Sequence, residues 1–240
     1  MTAAAAAALR IGGLTPFTSI DHPGKLAAVV FVQGCPWRCA YCHNPHLQAR
    51  RAAADAALSW PDVLRWLQRR AGLLDAVVFS GGEPTSDPAL PGAMAQARAL
   101  GYAIGLHTGG LYPRRLAQVL PLVDWVGLDI KAPLADGAAY DRITGRRGSA
   151  VPVRQCLALL QASAAAFECR TTAHPALLDE RALGDLADGL AAAGVANWAL
   201  QVCRRSGAAA ALPAAPADYP GPAALASLGA RFARFTVRPA

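Results

Sequence analysis

Three cysteines, Cys35, Cys39 and Cys42, form a C-x3-C-x2-C array within Gly34-Cys35-Pro36-Trp37-Arg38-Cys39-Ala40-Tyr41-Cys42-His43-Asn44-Pro45. Thiolates favour zinc or iron–sulfur over hard cations. Three of them this close together leave one coordination position open to something else. The run just before them, Leu26 to Val32, is rich in Val and reads as a buried strand. The array therefore sits on a loop at a strand end. A zinc site is one use of it, with His43 or His46 as fourth ligand. A disulfide framework fits poorly, because six cysteines in 240 residues are not dense and no secretory signal is visible. Cys156, Cys169 and Cys203 stand singly in apolar surroundings and read as small buried hydrophobes.

The other groups able to do chemistry also follow predicted strands. Gly81-Gly82-Glu83-Pro84 follows a strand over Ala76 to Ser80, and a glycine turn lets backbone carbonyls approach a ligand closely. Glu83 reads as a group that orients this loop rather than a proton donor. His107-Thr108 closes a strand from Tyr102. Asp129 and Lys131 end a strand from Trp125, two residues apart and so on one side of it. Arg170 lies in a strand over Phe167 to Thr172, and Gln201 in one over Trp198 to Cys203. Each has a plainer reading: a strand-to-helix turn for the glycines, an ion pair for Asp129 and Lys131, and a pairing of Arg170 with Asp129 or Glu83.

What must position these groups is an alternation of strands and helices. Helices are predicted over 59–71, 89–100, 113–122, 153–165, 180–193 and 223–232, with Ser59 as a cap of the first and Gly194 as a stop for the fifth. Residues 11–25 read as a lead-in with turn signals, and Tyr140, Ile143, Thr144 and Gly145 as part of a loop. Six strand–helix units predict a parallel sheet with helices outside. The fold expected is α/β, a partial (β/α)6 barrel over 11–205, since eight units would need about 250 residues. A doubly wound sheet is the alternative. Residues 1–10 read as a disordered tail, and 206–240 as a mobile Ala/Pro-rich connection with a last short helix. In parallel α/β proteins, sites form beyond the carboxyl ends of the strands, where all these groups fall.

Composition narrows the class. The hydrophobic fraction of 54% is inflated by alanine, and no apolar stretch reaches the roughly 18 residues of a spanning helix. A cytoplasmic protein with reduced thiols is expected. The net charge is +7, which favours acidic partners or anionic cofactors. The arginines are scattered in pairs such as Arg69-Arg70 and Arg146-Arg147 rather than in one block, so direct nucleic acid binding is not expected.

With its aromatic before the third cysteine and His-Asn after it, the array resembles the radical S-adenosylmethionine (SAM) superfamily. Within it, the loop resembles the activating enzymes of glycyl-radical enzymes. The approach segment, Ile11-Gly12-Gly13-Leu14-Thr15-Pro16-Phe17 through Asp21-His22-Pro23-Gly24-Lys25-Leu26, is similar to the longer form of those that activate the anaerobic ribonucleotide reductase. The resemblance runs from about Ile11 to Arg204. It implies a [4Fe-4S] cluster on Cys35, Cys39 and Cys42, with SAM on the fourth iron. Reductive cleavage of SAM would then yield a radical that abstracts hydrogen from a backbone glycine of the partner. No catalytic side chain beyond cluster and SAM is implied. It assigns SAM contacts to Tyr41, His43, Gly81, Gly82, Glu83, Asp129, Lys131, Arg170 and Gln201. It also implies a low-potential electron donor such as flavodoxin or ferredoxin. Two positions depart from related enzymes: His107 stands where an acidic residue helps bind a monovalent cation beside a threonine, here Thr108. Gln201 stands where a histidine is found. There is no second cysteine cluster. The alternatives are a radical SAM enzyme of a small molecule and a non-catalytic zinc-binding interaction protein.

Overall fold

The computed structural model describes residues 6–50, 58–204 and 212–238. Strand β2 (Ala27–Val32) is apolar on both faces, as a strand covered on both sides must be. Ala28, Val30 and Val32 join the large outer core. Ala27 and Val29 turn inward with Ala76 and Val78. β2 is followed in parallel register by β3 (Ala76–Gly81), β4 (Ala103–Thr108), β5 (Trp125–Asp129), β6 (Ala166–Ala173) and β7 (Asn197–Val202). These are the six predicted strands. Helices α1 (Trp60–Gln68), α2 (Leu90–Ala99), α3 (Pro113–Val119), α4 (Gly137–Thr144), α5 (Ala150–Gln161), α6 (Glu180–Ala192) and α7 (Pro222–Gly229) accompany them. The sheet runs in sequence order from β1 (Ile11–Thr18) to β8 (Arg234–Arg238), and among the described residues no ladder joins its last strand to its first. The fold is α/β, a partial barrel left open.

Local chemistry explains the helices. Ser59 accepts from the Asp62 amide at 3.3 Å and Pro61 fills the first turn, while α1 buries Trp60, Val63 and Leu67. Burying each such side chain contributes about 1.5–3 kcal/mol. Asp179 caps α6 through the Ala182 amide at 2.7 Å, and Gly194 follows it with a φ of 75°.

Four stretches differ from expectation. The lead-in contains β1 (Ile11–Thr18), antiparallel to β2 with two register shifts. Gly12-Gly13 and Pro23-Gly24 read as turn signals, but the first pair lies inside an irregular edge strand, where glycine and also Pro16 are tolerated. The loop around Tyr140 contains α4, capped by Asp136 on the Ala139 amide at 2.8 Å and stopped by Gly145 at a φ of 66°. The next helix, α5, starts at Ala150 and ends at Gln161 rather than spanning 153–165. After the last helix, which ends at Gly229, the chain adds β8 (Arg234–Arg238), parallel to β7.

The expected tail over 1–10 lies outside the described residues for 1–5. Ala6 and Leu9 are buried, and Arg10 pairs with Asp87 at 2.9 Å. Of the expected mobile connection, 205–211 lie outside the described residues. Beyond them Leu212 packs on the core, the Tyr219 hydroxyl donates to the Leu178 carbonyl, and the Gly221 amide donates to Glu180 at 2.7 Å. Among the described residues no helix is long and apolar enough to cross a membrane.

Between β1 and β2 the chain enters the barrel. His107 Nε2 on β4 lies 2.8 Å from the Asp21 carbonyl, and His22 packs on Trp125 with ring centroids 5.4 Å apart. The loop thus floors the lumen beneath the strand ends.

Candidate active site

A cavity of about 580 Å³ opens at the carboxyl ends of the strands. Cys35, Cys39, Cys42, Tyr41, His43, Gly81, Gly82, Glu83, His107, Asp129, Lys131, Arg170 and Gln201 all line it. Every residue singled out as a cluster or SAM contact is therefore brought to one place.

The cysteine loop is fastened at both ends. At its root the Gly34 amide donates to Leu47 O at 2.8 Å and the Cys35 amide to Gln48 O at 3.1 Å. At its crest the Arg38 amide donates to Thr144 O at 2.9 Å and the Ala40 amide to Ile143 O at 3.2 Å, so α4 holds it. The glycine turn is stitched to the same root: the Gly82 amide reaches Val32 O and the Glu83 amide reaches Gly34 O, both at 2.9 Å. A Cβ on Gly82 would stand 2.5 Å from Gly34 O, and one on Gly81 would stand 2.5 Å from Val32 N. The glycines are thus required by backbone approach to the cysteine loop, besides facing the cavity.

Glu83 is 1% exposed. Its carboxylate accepts from the Thr85 amide at 3.1 Å, the Thr85 hydroxyl at 2.5 Å, the Thr108 hydroxyl at 2.7 Å and the Gly109 amide at 2.9 Å. Burial pushes its pKa up, and these donors oppose the shift. It joins the ends of β3 and β4 and has no free oxygen for proton transfer.

Lys131 is buried, with Nζ 3.1 Å from Asp129 and over the rings of Trp37 and Tyr41 at 5.7 and 5.4 Å. Burial works to lower its pKa, but Asp129 together with Tyr41, Cys39 and Tyr140 outweighs it, and the ammonium is held charged, above its usual range. Its amide rests on the Tyr140 hydroxyl at 3.1 Å. Sequence reasoning missed Tyr140 because it read the segment as loop. His43 Nε2 lies 3.0 Å from the Arg204 carbonyl, tying the cysteine loop to the chain after β7. Gln201 faces the cavity between Thr172 and Arg238 in register.

Arg170 pairs with neither Asp129 nor Glu83. It pairs with Glu168 at 3.1 Å, which also takes Arg238 at 3.0 Å. Its guanidinium crosses β5 and stacks on Trp125 at 4.7 Å. That path exists because residue 127 is glycine: a Cβ there would stand 2.8 Å from the guanidinium carbon. Among the described residues Arg170 Nη2 is buried without a partner. His107 Nε2 lies 3.1 Å from Arg170 Nη1, and burial followed by the Arg170 charge holds its pKa well below the usual value. Thr108 does not face the cavity with His107 and Asp129, because its hydroxyl is spent on Glu83.

Among the described residues no three His, Cys, Asp or Glu side chains converge around a point as a single ion would need. The donors facing the cavity from the loop are three thiols and the His43 imidazole, with no carboxylate. Burial, and then the Glu83 charge, push the Cys35 thiol up to about 12, and burial also raises Cys39. Metal loading must therefore release protons.

A family model described as the radical SAM superfamily matches residues 29–181. The chain belongs to the radical SAM superfamily. Its cofactors are accordingly a [4Fe-4S] cluster and SAM. This radical SAM protein is 27% identical to a candidate glycyl-radical enzyme activating enzyme of Methanocaldococcus jannaschii, over 74% of this chain and 73% of that one. It is 34% identical to the pyruvate formate-lyase-activating enzyme of Clostridium pasteurianum, over 57% and 58%. A PqqA peptide cyclase of Streptomyces rochei is 38% identical over 47% of this chain and 31% of its own. The chain thus spans less than two thirds of the latter two. A radical SAM methyltransferase from Sphaerobacter thermophilus shares the fold with a TM-score of 0.69 at 16% identity, over 93% of this chain and 68% of that one.

The donor set fits the cofactors, with Cys35, Cys39 and Cys42 as the thiolates that would hold the cluster. When bound, cluster and SAM supply one-electron cleavage of the sulfonium and a carbon radical able to take a hydrogen atom. The chain's own part is to bind, orient and exclude water. Lys131 would face a carboxylate, the Gly81-Gly82 turn an ammonium, and Asp129 a hydroxyl donor. Trp37, Tyr41 and Leu111 give the wall its apolar surface. Glu83 holds the glycine turn against the cysteine loop, so that these groups keep one spacing.

Proposed function

We infer that this radical SAM protein is an activating enzyme that generates a glycyl radical on a partner, the anaerobic ribonucleotide reductase. The residues assigned to cluster and SAM above carry the chemistry, with a low-potential donor supplying the electron in a reducing, cytoplasmic compartment. One observation supports the reading most. The approach segment that distinguishes this group in sequence is not a mere lead-in: it forms β1 and the loop entering the barrel, with Ile20 and Asp21 lining the cavity. Two residues of that segment thus border the cavity lined by the cysteines, which supports a role in substrate choice. Two relatives bear names of activating enzymes. The test is anaerobic reconstitution followed by reaction with SAM, dithionite and the reductase. A glycyl-radical doublet in the electron paramagnetic resonance spectrum is expected, and its absence with intact SAM cleavage would refute the partner.

A small-molecule substrate is the second reading. It is favoured by Arg170 Nη2, a buried guanidinium nitrogen in the cavity wall with no partner among the described residues. Turnover of a small anionic compound without any partner protein would support it.

A further inference from the structure

At the end of β5 the sheet runs out of partners before the site begins. The last pair with β4 is Leu128 on Thr108, and the last with β6 is Asp129 on Arg170. The Ile130 amide still reaches the Arg170 carbonyl at 2.7 Å. The next amide, that of Lys131, is buried and lies past both ladders. A buried donor left unmet is costly. The Tyr140 hydroxyl takes the place of the missing strand: it accepts from the Lys131 amide at 3.1 Å and donates to the Asp129 carbonyl at 3.3 Å. A phenol oxygen can do both. Tyr140 is fully buried and does not line the cavity.

The same residue meets the cysteine loop. Its ring stands edge-on to Trp37 with centroids 6.4 Å apart, and Lys131 Nζ lies over that same indole at 5.7 Å. One turn further along α4, the Ile143 and Thr144 carbonyls are left without helical donors, as the last carbonyls of any helix are. They accept the Ala40 and Arg38 amides of the cysteine loop. The Thr144 hydroxyl donates back to the Tyr140 carbonyl at 3.0 Å and closes this turn. One two-turn helix therefore touches both the strand end that carries Lys131 and the loop that carries the thiols.

We propose that Tyr140 is a positioning residue, which sets the height of Lys131 against the cysteine loop so that the lysine ammonium meets the SAM carboxylate. The inference rests on the assignment of Lys131 to that carboxylate. Tyr140 touches neither cluster nor SAM. It acts through the Lys131 backbone, so its loss leaves the thiols in place and the ammonium without a fixed height.

The test compares wild-type holoenzyme with Tyr140→Phe, which removes the hydroxyl and keeps the ring on Trp37. Tyr102→Phe makes the same change at another buried tyrosine, whose hydroxyl donates to the Leu67 carbonyl at 2.7 Å outside the cavity. Iron is assayed, and SAM and decarboxylated SAM are titrated by equilibrium dialysis. Both variants should hold about four irons per chain. Tyr140→Phe should bind SAM about ten-fold more weakly than the wild type, and decarboxylated SAM equally well. Tyr102→Phe should match the wild type with both ligands. On a Lys131→Met background, adding Tyr140→Phe should change SAM affinity by less than about two-fold, because the two residues act in series. Undiminished SAM affinity in Tyr140→Phe overturns the proposal. So does an equal loss for decarboxylated SAM, an equal loss in Tyr102→Phe, a full further loss on the Lys131→Met background, or a shortage of iron in Tyr140→Phe. If Lys131→Met alone binds SAM as the wild type does, the carboxylate assignment itself falls, and the proposal with it.

Discussion

The Thr108 hydroxyl donates to Glu83 Oε1 at 2.7 Å, linking the carboxyl ends of β4 and β3 beneath the cavity. The same oxygen of Thr108 accepts from the Gly110 amide at 3.0 Å. One side chain thus fixes the turn after β4 and helps to fix the glycine turn after β3, which is itself bonded to the cysteine loop.

Removing that hydroxyl should loosen all three. Thr108→Val keeps the shape and is expected to cost about 1–3 kcal/mol, because a buried carboxylate loses a donor. Thr108→Ser should recover most of it. Chemical denaturation of both variants checks this, and equal stability of the valine variant and wild type would refute the linkage.

Gly82→Ala should fail at the cysteine loop rather than in SAM binding alone. Its Cβ would stand 2.5 Å from Gly34 O, so the loop root must shift. A destabilisation of about 1–3 kcal/mol is expected, with reduced iron content after reconstitution. Full iron loading combined with a weak SAM affinity would instead leave the glycine as a ligand contact only.

The array is expected to be selective among the six cysteines. Cys35→Ser, Cys39→Ser and Cys42→Ser should each fail to assemble a stable four-iron cluster. Cys156→Ala and Cys169→Ala, which alter buried thiols of the outer core, should keep it. Iron and sulfide assays decide the point.

Acid should destabilise the apoprotein beginning near the ordinary histidine value of 6.5. His107 and His22 are both depressed, chiefly by burial. Arg170, Arg238 and His22 further oppose a charge on His107, while the Asp21 carbonyl favours it. A depressed base is neutral when folded and takes up its proton on unfolding. Its contribution is therefore present above pH 6.5 and is lost as pH falls, at up to about 1.4 kcal/mol per pH unit for each histidine. Urea midpoints between pH 5 and 7.5 should show this slope in the wild type and about half of it in His107→Gln. A flat wild-type profile would refute it.

Lys131→Met should weaken SAM about ten-fold, the modest size reflecting that its partner Asp129 is half exposed and screened. Lys131→Arg should lose less. Equilibrium dialysis with the reconstituted enzyme measures both.

The parts of this structure legible in sequence are those set by local pattern. Six parallel strands announced themselves by apolar runs covered on both faces, and the strand-end rule carried Gly81, Asp129, Lys131 and Arg170 to one cavity. What escaped was set by tertiary context. β1 and β8 are edge strands, with one neighbour each and mixed composition, and read as lead-in and tail. α4 has eight residues, too few for periodicity to stand out against a loop. The partner of Arg170 is Glu168, two residues along its own strand, and its guanidinium crosses the gap left by Gly127. No spacing rule reveals a side chain that passes through the space of a missing Cβ. Glu83 was legible as an orienting group, but its bond to Thr108 depends on the β3–β4 register.

A closed barrel has a radius set by strand number and shear. Here, among the described residues, no ladder ties β8 to β1, so the width of the mouth follows from the twist accumulated over seven strand pairs. Twist can change a little at each pair without breaking a ladder. The width of the mouth can therefore be adjusted by small rotations distributed along the whole sheet.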